Sequence, residues 1–370
     1  MRRRMVRLWA TVAVLIPFAG RVSAQAGSSV AGGVGFERYS FATPAAIDIE
    51  SLTLLTVPFG GRFELGRRVS VGLTGAWARA SLVNSDGEET EYSGLTDTEA
   101  SVVVQLAPGW ASLTAVAVLP TGSNSLTFEE MIVAGAVAAD QLPFRITHWG
   151  TGGGAGMSLA VTRPIGSFAA GLSVGYVVAR TFEPLAGDAF EYRPGNQLQV
   201  VAAVDRLIGE SAKAAVRAKY QRFAVDEGDG RNLFQSGDRL TVTGSLDFAV
   251  GRSTAIVYGG WYERDAAELF EPPPPEILPS QTMVYGGAGL RTSLGSAVLQ
   301  PSVDVRMVDT EVGPGYTVGA GASLEAPAGT STLIPSARLR FGSAESVDGV
   351  KTRFTGLDVG FSIRLGARER

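Results

Sequence analysis

Residues able to make or break bonds are few in this chain. His148, in "RITHWGTGGG", is the only histidine among 370 residues, and there is no cysteine. A lone imidazole has no second histidine with which to hold a metal and no thiol to activate. Triad chemistry would ask for serine and aspartate partners around it, and a single histidine beside Trp149 is more often incidental. "GTGGGAG" (150–156) opens a strand pattern rather than a helix, so it does not read as a phosphate cradle. No catalytic residue, metal ligand or cofactor is therefore expected. Fixed charge at regular spacing is what the chain does carry. Lys213, Arg217 and Lys219, then Arg239 and Asp247, Asp304 and Arg306, Arg338 and Arg340, and Asp358 and Arg364 fall at even intervals within their segments. Glu129, Glu130 and Asp140 lie together in one intervening stretch. Such a set can attract, orient or repel charged solutes without chemistry.

The elements that must position these charges alternate in polarity with period 2. In "RLTVTGSLDFAV" (239–250), Leu240, Val242, Leu246, Phe248 and Val250 share one face, opposite Arg239, Thr241, Thr243, Ser245 and Asp247. Successive side chains of a strand point to opposite faces, so this is a two-faced strand. The pattern recurs at 69–77, 167–180, 197–205, 212–220 and 357–365. Sixteen strands are expected, within a range of 14–18, near 28–41, 46–65, 69–83, 92–106, 110–120, 150–162, 167–182, 192–206, 210–224, 236–249, 253–263, 280–293, 297–309, 315–325, 330–342 and 351–365. Each is about as long as the roughly 9–11 residues of a tilted membrane strand. Past the N-terminus no run approaches the roughly 20 apolar residues of a spanning helix. Pro301 and Pro335 interrupt the strand chemistry, and bulges or strand ends are expected there.

The N-terminus has the three parts of a secretory signal: basic "MRRRMVR", apolar "LWATVAVLIPFAG", and "RVSA" with small residues at Val22 and Ala24. Cleavage after Ala24 divides the chain into a signal peptide, 1–24, and a mature barrel, 25–370. Five arginines and no acid leave with it, so the mature chain carries 27 basic and 36 acidic residues, a net charge of −9.

Connection lengths choose between a soluble sandwich and a membrane barrel. Every second connection is tiny: "GRR" (66–68), "APG" (107–109), "RPIG" (163–166), "LIG" (207–209), "VGR" (250–252), "LGS" (294–296) and "APAG" (326–329). Outer-membrane barrels have short periplasmic turns and longer extracellular loops, whereas a sandwich has no reason to alternate. The short turns hold four arginines and no acid; the long loops hold twenty acids and three basic residues, Arg145, Arg231 and Arg264. One rim should be strongly negative. The face of Leu240 and Phe248 then meets lipid, and the charged parity lines a wet interior.

The segment 121–149 stands apart. "TFEEMIVAGAVAADQL" offers Thr127 as an N-cap, acids in the first turn and then a small apolar run, which reads as a helix. It is too apolar to leave in solvent, so folding into the lumen as a constriction is the expectation; capping the mouth or adding two strands are the other arrangements. Folded in, Glu129 and Glu130 would stand across the lumen from the inner cations. Those cations could equally be occupied in pairing with Asp247, Asp304 and Asp358. Trp149 is expected in the interfacial aromatic girdle.

In pattern the whole mature chain resembles bacterial outer-membrane porin-like channels. The succession "LTVPFGGRFELGRRVSVGL", "LTDTEASVVVQL" and "AVLPTGSNSLT" also resembles the outer-membrane family named after the meta-cleavage pathway of phenol degradation, which implies passage of hydrophobic aromatics. These resemblances imply an all-β, closed antiparallel transmembrane barrel, no enzyme, and passive diffusion of small solutes set by lumen charge and the 121–149 loop. A non-conducting structural or adhesive surface barrel is the alternative. The implied partners are outer-membrane lipid, lipopolysaccharide and small solutes, with no nucleic acid; a homotrimer rests on analogy alone. Protein purified from outer membranes should begin at Gln25 on N-terminal sequencing; a start at Met1 would refute the signal reading.

Overall fold

The computed structural model describes residues 28–43, 48–271, 274–310, 313–345 and 349–366. The signal segment lies outside them. Sixteen antiparallel strands close on themselves: β1 Ser29–Phe41, β2 Ser51–Glu64, β3 Val69–Val83, β4 in two pieces (Glu89–Leu95 and Thr98–Ala107), β5 Ala111–Leu119, β6 Gly154–Ile165, β7 Phe168–Ala179 and β8 Gln197–Ile208. They continue as β9 Ala212–Phe223, β10 Arg239–Val250, β11 Ser253–Arg264, β12 Gln281–Leu294, β13 Ala297–Thr310, β14 Gly313–Ala328, β15 Ser331–Glu345 and β16 Lys351–Gly366. Each pairs with the next, and β1 pairs with β16 from Ser29↔Gly366 to Phe41↔Phe354, so no edge is left. In hydrocarbon an unpaired edge would strand every N–H and C=O along it. Thirteen residues of β3 pair with the two pieces of β4, seven with the first and six with the second: Leu95 pairs with Trp77 and Glu99 with Thr74, and the ladder skips the residues between, which splits the strand.

Register fixes which residues face inward. Directly opposed residues share a face. Tracing the pairs from Tyr39↔Leu52 through Leu52↔Leu82 and around the ring places the even positions of β2 and β3 and the odd positions of β1, β9 and β10 inside. Leu246, Val305, Phe341 and Val359 point out, and their large apolar side chains are exposed on the outer wall. The seven short turns each place a glycine at positive φ, from 60° at Gly251 to 85° at Gly66. That backbone is nearly closed to residues with a Cβ, which is why glycine recurs at this end of every hairpin.

One expectation is corrected. Pro301 and Pro335 neither end their strands nor shift the register: β13 and β15 run through them, and the ladder resumes in step beyond each gap. Pro301 still pairs with Ala322 and Pro335 with Phe361. Each proline removes a donor toward only one neighbour, so one side of the strand stays bonded. Three of the long loops are also not free coils. Tyr192–Arg193, Asp226–Gly228, Arg231–Gln235, Ala267–Leu269 and Glu276–Leu278, from the connections after β7, β9 and β11, form a second, five-stranded sheet. Within it Tyr192 donates its hydroxyl to Asp226, and burial together with that bond pushes the phenol well above its usual value.

The lipid-facing assignment has a direct consequence. Val359→Arg, on the outer face midway along β16, should lower unfolding stability in vesicles by about 2–4 kcal/mol. Thr243→Arg, on the inner face of β10, should change it far less in the same urea titration.

Candidate functional site

A helix, α1 (Phe128–Ala138), lies inside the barrel. Its start is a capping box: Glu130 N donates to Thr127 Oγ1, and Thr127 N donates to Glu130 Oε2 at 2.9 Å. This satisfies two of the N–H groups that a helix start leaves unpaired. Just before it, Leu126 exchanges backbone bonds with Pro184 and Ala186 in the loop after β7. Val133 and Val137, fully buried, pack with inward-facing Leu52, Leu54, Ala78, Ala80 and Tyr92. The segment thus folds inward, against β2 to β4.

Beyond α1 the chain runs along the opposite arc of the wall. Asp140 accepts from Gln281 Nε2 at 2.6 Å, and its carbonyl accepts from Arg306 Nη2 at 2.5 Å. Gln141 Nε2 donates to the carbonyls of Glu345 and Gly313. Phe144 meets Tyr39 edge-on at 4.8 Å. Trp149 is buried against Tyr92, with its Nε1 donating to Ala78 O. It is therefore an interior anchor and not part of an interfacial girdle, because the in-folded loop carries it past the rim.

Charge completes the anchorage. Arg145 Nη2 donates to Asp358 Oδ1 at 2.5 Å, while its backbone N donates to Glu37 Oε2 at 3.1 Å. Arg340 Nη1 reaches Glu37 at 3.5 Å, the Tyr39 hydroxyl at 2.7 Å and Pro143 O at 3.4 Å, and its Nη2 lies 3.6 Å from Asp358. Glu37 and Asp358 are register partners on β1 and β16. Room for the Arg145 guanidinium comes from another pair, Gly35 and Gly360, where a Cβ would come within 3.1 Å and 3.3 Å of it.

The other charges picked out above all lie on the inward face, and they sort into two groups. Most have partners: Lys213 with Asp205 at 2.9 Å, Arg338 with Asp304 and with Ser302 Oγ at 2.8 Å, and Arg364 with Glu325 at 3.9 Å. Asp247 stands opposite Lys213 in the β9–β10 ladder. Arg217 and Lys219 are the exception: among the described residues they make no ion pair or hydrogen bond. Arg239 stacks on Phe223 and touches Ser236 Oγ, and its Nε is buried without a partner. Glu129 and Glu130 do not face these cations squarely. At 100° per residue, they lie toward the flanks of the buried Val133–Val137 side. The opposite stripe, Phe128, Met131, Ile132 and Gly135, is apolar and exposed. His148 is exposed, with its Nδ1 3.4 Å from the Thr147 hydroxyl. No cluster of three or more metal-ligating side chains occurs among the described residues.

Sequence reasoning missed Glu37, Tyr39, Arg145 and Gln281, which hold the loop. For Glu37 and Tyr39 the signal was parity: with Gly35 they alternate with Val34, Phe36 and Arg38 in "GVGFERY", whereas Arg145 carried no local signal. Glu37→Ala should destabilise the folded barrel by roughly 3 kcal/mol or more, since it leaves buried Arg340 under-compensated. Heat-modifiable mobility measured against temperature would check this, with Thr243→Ala staying near wild type.

No protein-family model and no curated protein matches the chain. Solved structures do. Pseudomonas putida OprB, in its low-pH structure, superposes with a TM-score of 0.50 at 8% identity, covering 96% of each chain. A mutant of the Rh. blastica porin gives a TM-score of 0.40 at 14% identity over 91% of this chain and 99% of that one. A bacterial polysaccharide outer membrane secretin gives 0.44 at 11% identity, covering 91% and 98%. At such identities the OprB likeness speaks for the fold alone, and the narrower likeness to the phenol-pathway family finds no support. Sixteen closed strands, short glycine turns at one end and a loop folded inside give this chain the fold of the porin-like barrels of the bacterial outer membrane.

Proposed function

We propose that the protein is an outer-membrane channel through which small solutes diffuse passively, and that the 121–149 segment is its constriction. The observation that carries this is the uneven filling of the lumen. The segment occupies the side of β1 to β4 and β13 to β16. Facing it, the inward positions of β6 and β7 are mostly small, with Gly154, Gly156, Ser158, Ala160, Gly171, Ser173, Gly175 and Ala179 outnumbering Thr162 and Val177. Side chains this small leave width, so the free passage follows β5 to β12. Selection there is by size and by the charge of the wall, with no bond made or broken. Below the loop, a cavity of about 340 Å³ lined by Arg145, Tyr258, Arg291, Arg338 and Asp358 continues the path on the other side of the anchor.

Export through residues 1–24, contact of the outer wall with lipid and lipopolysaccharide, and trimer formation belong to the same reading. A non-conducting surface barrel is the second reading, favoured by the ordered five-stranded sheet outside the membrane. Planar-bilayer recording of refolded protein separates the two. Stable conductance steps that grow when 128–138 is replaced by a short Gly-Ser link support a channel with that constriction. A barrel that is folded by heat-modifiable mobility and inserted, yet silent, overturns it.

A further inference from the structure

We propose that the passage favours amphiphilic organic anions: an anionic head carried along cations of β9 and β10, and a compact apolar body passing over the exposed stripe of α1. The proposal rests on the channel reading above and names its solute class.

The cations form a track. Arg217 pairs in register with Thr243, Lys219 with Thr241, and Gln221 with Arg239. Each step of two residues is roughly 6.6 Å along a strand. Three positive groups therefore climb a single seam toward the outer mouth. Inward-facing acids on β8 to β12 are confined to Asp205 and Asp247, both near the periplasmic end and beside Lys213. Elsewhere on the inner wall several arginines pair with acids, as with Arg338 and Asp304 or Arg291 and Glu325, while Arg306 bonds the Asp140 carbonyl. On this seam the compensating negative charge must come from solution, and a passing anion supplies it.

Cations alone would serve any anion; the far side narrows the class. The stripe of α1 turned away from β3 and β4 presents Phe128, Met131 and Ile132, which are 74%, 41% and 49% exposed. A helix that crosses water with its polar residues out would place Glu129 and Glu130 there, and here they sit on its flanks instead. Apolar surface held in water is unfavourable at about 25 cal/mol per Å² until something covers it. An inorganic anion gains only from the seam, and a neutral apolar solute only from the stripe. An organic carboxylate or sulfonate gains from both, while cations are repelled.

The test is the reversal potential of single channels, with potassium benzoate as the probe against potassium chloride. Wild type should pass chloride over potassium, and benzoate at least as readily as chloride despite its greater size. R217Q/K219Q should bring the chloride-to-potassium ratio about threefold or more toward unity. F128S/I132S, which leaves Val133 and Val137 in place, should lower the benzoate-to-chloride ratio by about threefold or more and leave the chloride-to-potassium ratio unchanged. Conducting wild type that prefers potassium, or a benzoate ratio that F128S/I132S leaves unmoved, overturns the proposal while the channel reading stands. A folded, inserted and silent barrel removes both.

Discussion

Everything in this fold follows from the intolerance of hydrocarbon for an unpaired peptide group. The demand is met at one seam, where β16 runs back alongside β1 for thirteen register pairs, from Ser29↔Gly366 to Phe41↔Phe354. Closure sets the alternation of every strand, because one face must then meet lipid and the other the lumen. It also creates the space in which 121–149 lies. The same seam carries Glu37 opposite Asp358 and Gly35 opposite Gly360, so the element that closes the barrel also receives the arginine of its inner loop.

The loop is held by two kinds of interaction with different reach. Val133, Val137, Leu142, Phe144 and Trp149 give it an apolar underside that packs on the wall without strict direction. Arg145, Arg340, Glu37 and Asp358 then fix its position by geometry. A buried cluster of this kind contributes little net stability against an apolar substitute, but breaking one member leaves a charge stranded. It acts mainly as a register device. It places the loop's packing on one arc of the wall.

Strand pattern was plain in the sequence because lipid and water impose opposite demands on adjacent residues, as Leu240 and Thr241 show. Turn positions were equally plain, since left-handed backbone at the short turns calls for glycine. Less legible was anything decided by partners distant in the chain. Arg145 and Asp358 are 213 residues apart, and no local signal joins them. Trp149 has the composition of a girdle residue, and only the path of the loop puts it inside. The prolines misled for a related reason: Pro301 and Pro335 read as breaks along one strand, but a ladder on the neighbouring side carries each of them through. The five-stranded outer sheet was hidden because its strands are as short as two or three residues, too few to show a period.

That outer sheet sits above β7 to β12, the arc of the proposed passage, and its strands and links hold Asp226, Glu227, Asp229, Glu268 and Glu276 against Arg193 and Arg231. On the channel reading proposed above, an anion approaching from outside crosses a net negative collar before it reaches the positive seam. The two fields differ in how dissolved salt treats them. The collar stands in bulk solvent, where a Debye length of about 8 Å at physiological ionic strength dampens it, whereas the seam is walled by low-dielectric protein. On that reading, salinity of the surroundings acts on the outer barrier more than on the inner attraction, making the rate of capture, more than the preference among captured solutes, the property that follows the medium.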